Sequence, residues 1–237
     1  MNRPTALRVT VPTDAGEMPS LLWVPESGSG PGLLLLQEIF GVSGYVQRRA
    51  ADLAEAGYVV LAPELYWRLD ATPIDEAQPG AIEEAMGRAQ KLDWDTTVGD
   101  AVAALHALEA REGVTGGTGV FGFCFGGGLA FNVAAVADPA VLVSYYGSGL
   151  PGLLALAPQV TAPSLHHFGT ADAYLDPSTV EKIREAVTAG GTPVEFELYD
   201  GADHAFDNDD FVLHHPQASR AAWHRTLDFL ARELPLG

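Results

Sequence analysis

Gly119-Val-Phe-Gly-Phe-Cys-Phe-Gly-Gly-Gly128 decides the fold of this chain. The apolar run 119–123 reads as a strand and feeds straight into the only cysteine, Cys124. Glycines follow at 126, 127 and 128, and then a helical pattern over 129–137. The spacing Gly122-x-Cys124-x-Gly126 has the shape of a nucleophile elbow, a strand that turns sharply into a helix with one side chain at the apex. The apex residue sits in a strained conformation, and a Cβ two positions to either side would crowd the strand and the helix. The helix N-terminus beneath it presents unpaired N–H groups and the positive end of a dipole, which favours a thiolate. The N–H of Phe125 is placed to donate to an oxyanion. The plain alternative is a small buried residue in a Gly-rich turn, so the weight falls on the rest of the chain.

Upstream, 7–11 and 21–24 read as short strands around a turn at 13–16, and 28–32 as a Gly/Ser/Pro loop. The continuous apolar run 33–36 fits a strand covered on both faces. Gln37 to Gly41 lead into a helix that ends near 56 before Gly57, and 58–62 is the next buried strand, stopped by Pro63. Residues 64–78 are irregular, and helical patterns cover 81–92 and 95–112. Downstream come strands at 141–145, 164–169 and 194–199, and helices at 179–189 and 217–234. Strands alternating with helices predict an α/β fold, a mostly parallel sheet with helices on both faces. No repeat or linker divides the chain, so residues 1–237 are expected to form one domain. Sites in such sheets form at the carboxyl ends of strands. Glu38, Cys124, Asp172 and His204 each follow a predicted strand, so the fold would gather them on one edge.

Composition narrows the function. A net charge of −18 argues against nucleic acid and anionic membrane surfaces, both of which need Lys and Arg patches. One cysteine excludes an internal disulfide and fits a reducing compartment. The first residues lack the apolar core of a signal peptide, and no apolar run reaches membrane-spanning length, so a cytoplasmic protein is expected. His166-His167 and His214-His215 invite a metal reading, but adjacent strand residues point to opposite faces, so His166 and His167 do not chelate one ion together. Asp207, Asp209 and Asp210 read as a solvated acidic loop, and Asp203 as a turn residue that rivals Asp172 only by its place beside His204.

The order nucleophile, acid, histidine is that of the α/β-hydrolases. With Gln37-Glu-Ile-Phe-Gly41, Gly122-Phe-Cys-Phe-Gly-Gly127, Tyr145-Tyr-Gly147, Gly169-Thr-Ala-Asp172 and Ala202-Asp-His-Ala-Phe206, the chain resembles the dienelactone hydrolases, or carboxymethylenebutenolidases, over nearly its whole length. The resemblance implies an α/β-hydrolase fold with Cys124 as nucleophile, His204 as base and Asp172 as the third member. Glu38 would help control the thiol's ionisation, and the N–H groups of Ile39 and Phe125 would form the oxyanion hole. Acylation of the thiolate and hydrolysis of the thioester would follow, with no metal or organic cofactor. Phe40, Tyr66, Trp67, Tyr146 and Phe206 are expected to wall an apolar substrate pocket. The small-molecule ester or lactone is the one partner expected, with the chain a monomer or weak homodimer.

Two departures matter. Family members that act on dienelactone hold its carboxylate with two arginines, and the matching positions here carry Asn208 and Ile82. Losing that clamp beside an acidic run points to neutral substrates. An acyltransferase or thioesterase on the same scaffold, and a non-catalytic ligand binder, use the same residues. Redox sensing through Cys124 would lack a resolving cysteine in the chain.

Overall fold

The computed structural model describes residues 3–237. The run of four leucines lies in β3 (Gly30–Leu36) and sets the layering, because alternate side chains leave opposite faces of the sheet. Leu33 and Leu35 point to one hydrophobic layer, where they meet Val46 and Leu53 of α1 (Gly44–Glu55) and Phe229 and Leu230 of α6 (Pro216–Glu233). Leu34 and Leu36 point to the other, filled by α3 (Trp94–Glu109), α4 (Phe125–Ala137) and α5 (Pro177–Thr188). A strand so enclosed has no polar face, which is why its sequence shows no alternation.

The remaining strands are β1 (Leu7–Thr13), β2 (Gly16–Trp23), β4 (Val59–Pro63), β5 (Val114–Phe123), β6 (Leu142–Tyr145), β7 (Ser164–Gly169) and β8 (Val194–Tyr199). Together the eight form one sheet in the order β1-β2-β4-β3-β5-β6-β7-β8. β1 and β2 make an antiparallel hairpin whose β2 pairs antiparallel with β4, and β4 through β8 are parallel in that order. The parallel strands therefore all end on one edge. α2 (Ala81–Ala89) stands apart, its Ala81 and Ala85 packed on Phe40 and Ile74 in a third, small apolar cluster. Asp93 caps α3 through the N–H of Thr96, and Asp176 caps α5 through those of Ser178 and Thr179. Among the described residues no helix is long and apolar enough to cross a membrane.

Two expectations fail locally. Residues 30–32 belong to β3 and not to a loop, because their glycines let it run hard against its neighbours. A Cβ on Gly30 would stand 2.0 Å from the Gly57 carbonyl oxygen. Likewise α4 starts at Phe125 rather than near 129. Its first turn is glycine because Cβ atoms on Gly127 and Gly128 would stand 2.9 Å from the backbone of Gly147 and Gly149.

Candidate active site

Cys124 ends β5 and is the N-cap of α4, with φ 52° and ψ −113°. That is a sparsely allowed region for a residue with a Cβ. The flanking glycines make it accessible: a Cβ on Gly122 would lie 1.9 Å from the Gly126 carbonyl oxygen, and one on Gly126 2.3 Å from that of Leu36. Tyr146 (φ 37°) and Ala205 (φ 54°) share the left-handed region, so three of the five non-glycine positive-φ residues described border this site. The thiol caps nothing, which leaves it free to face the cleft.

His204, in the loop after β8, brings Nε2 to 3.1 Å from Cys124 Sγ. Its Nδ1 stands 2.8 Å from Asp172 Oδ2. Asp172, after β7, is held in turn by the N–H groups of Tyr174 and Leu175, which donate to Oδ1 at 2.8 and 2.9 Å. Asp203 instead accepts the N–H groups of Ala173 and His204 at 2.8 and 2.7 Å, so it braces the two loops. Burial opposes protonation of His204, but the charges and hydrogen bonds of Cys124 and Asp172 outweigh it and hold the imidazole well above its usual range. The imidazole facing Sγ is thereby favoured in its protonated form.

Glu38 sits in the turn between β3 and α1 and is 1% exposed. Burial raises its pKa from 4.5 to about 7, against the pull of hydrogen bonds from Asn208 and Tyr146. Asn208 Nδ2 donates to Oε2 at 2.8 Å and the Tyr146 hydroxyl to Oε1 at 3.1 Å. Behind Tyr146, the Tyr45 hydroxyl stands 3.3 Å away and donates to Asp207 at 2.6 Å. Asp207 is fully buried and gripped by Arg49 at 2.7 Å through both Nε and Nη2. It is thus a structural anchor and not part of a solvated loop; the charge there is neutralised inside the protein. Asp209 and Asp210 do face outward, paired with Arg48.

A cavity of about 120 Å³ opens over Cys124 and His204, walled by Ile39, Phe40, Ile82, Met86, Tyr174 and Phe211, with Glu38 and Ser148 as its other polar members. Of the five expected wall residues only Phe40 takes that place. Tyr66 is buried and donates to the Ile39 carbonyl at 2.6 Å. Trp67 is held away by Asp100, to which its indole N–H donates at 2.9 Å. Tyr146 and Phe206 lie beneath the site, fully buried, their rings 5.3 Å apart. Large aromatic residues near a site are recruited into the core beneath it first, and the cavity wall falls to α2 and the loops. Ile82 is marked in the sequence as the position where the resemblance expects an arginine, whereas Met86 and Tyr174 carry no sequence signal. The N–H groups of Ile39 and Phe125 donate to no acceptor among the described residues. A larger cavity of about 400 Å³ lies between α1 and α6 without reaching Cys124, and its Arg3, Arg48 and Arg49 are tied to carboxylates.

The fold and this arrangement define an α/β-hydrolase: a parallel sheet with an elbow at its carboxyl edge and acid and histidine from later strand ends. Comparison with known proteins agrees. The family model "Dienelactone hydrolase family" matches residues 18–234, and the chain belongs to that family, a group of hydrolases of ester and lactone bonds. A carboxymethylenebutenolidase of Pseudomonas sp. is 34% identical over 226 residues, 94% of this chain and 93% of the relative. One from Rhodococcus opacus is 30% identical over 224 residues, covering 90% and 85%. The crystal structure of a dienelactone hydrolase from Anabaena variabilis matches with a TM-score of 0.74 at 20% identity, covering 98% of this chain and all of the other, a likeness of fold.

Proposed function

We propose that this chain hydrolyses neutral carboxylic esters or lactones through a Cys124–His204–Asp172 triad and an acyl-thioester intermediate. The observation that carries the reading is the unbroken line from Asp172 to His204 to Sγ, 2.8 and then 3.1 Å. Sγ attacks the carbonyl carbon, and the oxyanion that forms is received by the N–H groups of Ile39 and Phe125. His204 gives its Nε2 proton to the departing alkoxide and then takes one from the water that attacks the thioester. Asp172 holds the ring in register and stabilises its charged form.

The preference for neutral substrates rests on the cavity wall. Ile82 lines it where a cation would be needed, and Asn208 is buried with its amide committed to Glu38. No Lys or Arg lines the cavity among the described residues, so a substrate carboxylate would lose its hydration without a partner. Hydrolysis of short-chain p-nitrophenyl esters is expected in the wild type and is expected to disappear in Cys124→Ala. A wild type that leaves these esters intact, or an active alanine variant, overturns the triad. An ester carrying a free carboxylate on its acyl chain should give a kcat/KM lower by about tenfold or more than its neutral analogue. Equal values would refute the preference alone.

A further inference from the structure

Ser148 and Tyr174 carry the cavity's hydroxyls, and Ser148 is the one that reaches Cys124 Sγ. It follows β6, and its N–H donates to the Cys124 carbonyl at 3.1 Å, which locks the serine to the elbow. The neutral thiol donates to Ser148 Oγ at 3.7 Å, and since a hydroxyl both donates and accepts, a charged sulfur would reverse that bond. Among the described residues Sγ is the only side-chain hydrogen-bond partner of Oγ. Sγ therefore has two polar neighbours, His204 on one side and Ser148 on the other.

We propose, resting on the thiol-hydrolase reading above, that Ser148 is a further catalytic group, whose hydroxyl donates to Sγ whenever the sulfur carries charge. In deacylation, water attacks the thioester carbon and gives a proton to His204 Nε2. Collapse of the adduct breaks the C–S bond, and its electron pair goes to Sγ. The acid leaves with its own proton, and a thiolate faces an imidazolium. Ser148 lowers the barrier of that step by receiving the sulfide as it forms. In acylation the charge moves from Sγ to the oxyanion, so the same bond gives the forward step no help. The other titratable groups around Sγ are His204 with Asp172 behind it, Glu38 and Tyr174 on the cavity wall, and Tyr66 and Tyr146 below. Of these, only His204 hydrogen-bonds Sγ.

The consequence is a split between two rates. Acylation and deacylation by p-nitrophenyl acetate are followed by stopped flow, and the acyl adduct on Cys124 by intact-mass spectrometry. Ser148→Ala should slow deacylation about tenfold, so that the acyl-enzyme accumulates, while acylation is not slowed. Ser148→Thr, which keeps the hydroxyl, should restore turnover, and thermal melts control for folding. Two rates that fall in parallel would make Ser148 an oxyanion donor or a structural residue and overturn the proposal. An unchanged deacylation rate, or a threonine variant as slow as alanine, overturns it as well, with the triad left standing. If the wild type forms no adduct on Cys124, the triad reading and this one fail together.

Discussion

At the residue scale, Glu38 carries an electrostatic tension of its own. It is a fully buried carboxylate whose two partners are neutral donors, Asn208 and Tyr146. Its protonated form fits better: the acid O–H donates to the Tyr146 oxygen, and the tyrosine turns its own proton toward Tyr45, 3.3 Å away, which already donates to Asp207. The linkage has a definite sign. Since folding raises this pKa from 4.5 to about 7, the unfolded chain releases the proton first. The stability that neutral Glu38 brings is whole below 4.5 and is lost as pH rises to about 7. At 1.36 kcal/mol per unit the loss is about 3 kcal/mol at most. Glu38→Gln reproduces the neutral form, its amide donating to Tyr146 and its oxygen accepting from Asn208. The variant should match the wild type in denaturant melts at about pH 4 and exceed it by about 2–3 kcal/mol at about pH 8. A wild type as stable as the variant at the higher pH would show that Glu38 ionises without hindrance. In the wild type the charged form of Glu38 and the imidazolium of His204 favour each other.

At the scale of elements, strain and close packing locate the elbow. Gly126→Ala would drive a Cβ to 2.3 and 2.5 Å from the carbonyl oxygens of Leu36 and Gln37, neither of which can yield without moving β3. It should destabilise the fold by about 3 kcal/mol or more and abolish esterase turnover. Gly99, inside α3, has nothing within 4 Å of its missing Cβ. Gly99→Ala should therefore stabilise the protein by about 0.5–1 kcal/mol and leave kcat unchanged. Paired melts and kinetics on the two variants separate the elbow's steric requirement from glycine's general flexibility. The elbow was legible because glycine was the only residue that could serve there. The four strand ends bearing Glu38, Cys124, Asp172 and His204 were legible because buried parallel strands are short, unbroken apolar runs. Glycine misled at 30–32 and 126–128, where composition resembles a loop and only the neighbouring backbone reveals a packed strand and a helix start. Of the cavity wall only Phe40 and, as the position of a missing arginine, Ile82 were legible. Ile82 and Met86 reach it through the placement of α2 on Phe40 and Ile74, a tertiary contact with no local pattern. Asp207 misled for the same reason, since Arg49, its partner, lies on α1, far away in sequence.

Over the whole molecule, the sheet that brings Cys124, His204 and Asp172 together also encloses two histidines from β7, and these set the response to acid. His166 lies against Phe131 and Phe196, with Nε2 3.2 Å from Ser164 Oγ and Nδ1 without a partner. His167, on the opposite face, engages Tyr199 at 2.8 Å and Thr226 at 3.0 Å. Burial lowers His166 from 6.5 to about 4, and lowers His167 well below its ordinary value, with His166 and Arg225 adding repulsion. Both are neutral in the fold. As pH falls below about 6.5 the unfolded chain binds protons that the fold refuses, and stability drops. Glu38 acts in the opposite direction between about 7 and 4.5, but one carboxyl offsets one histidine of similar shift and leaves the other uncompensated. The net charge of −18 also shrinks on acidification, which relieves self-repulsion only weakly at ordinary salt. Stability should therefore fall from about pH 6 to pH 4. His166→Phe keeps a planar ring between Phe131 and Phe196 and removes one of the two protonation sites. Over that range its slope of unfolding free energy against pH should be shallower than the wild type's by about 1 kcal/mol per unit, while above about pH 7 the two curves run parallel. Ester hydrolysis should be unaffected, since His166 packs between Phe131 of α4 and Phe196 of β8 and hydrogen-bonds Ser164, not Cys124, His204 or Asp172. Urea titrations at half-unit steps would decide it, and identical slopes would mean that His166 takes up its proton inside the fold.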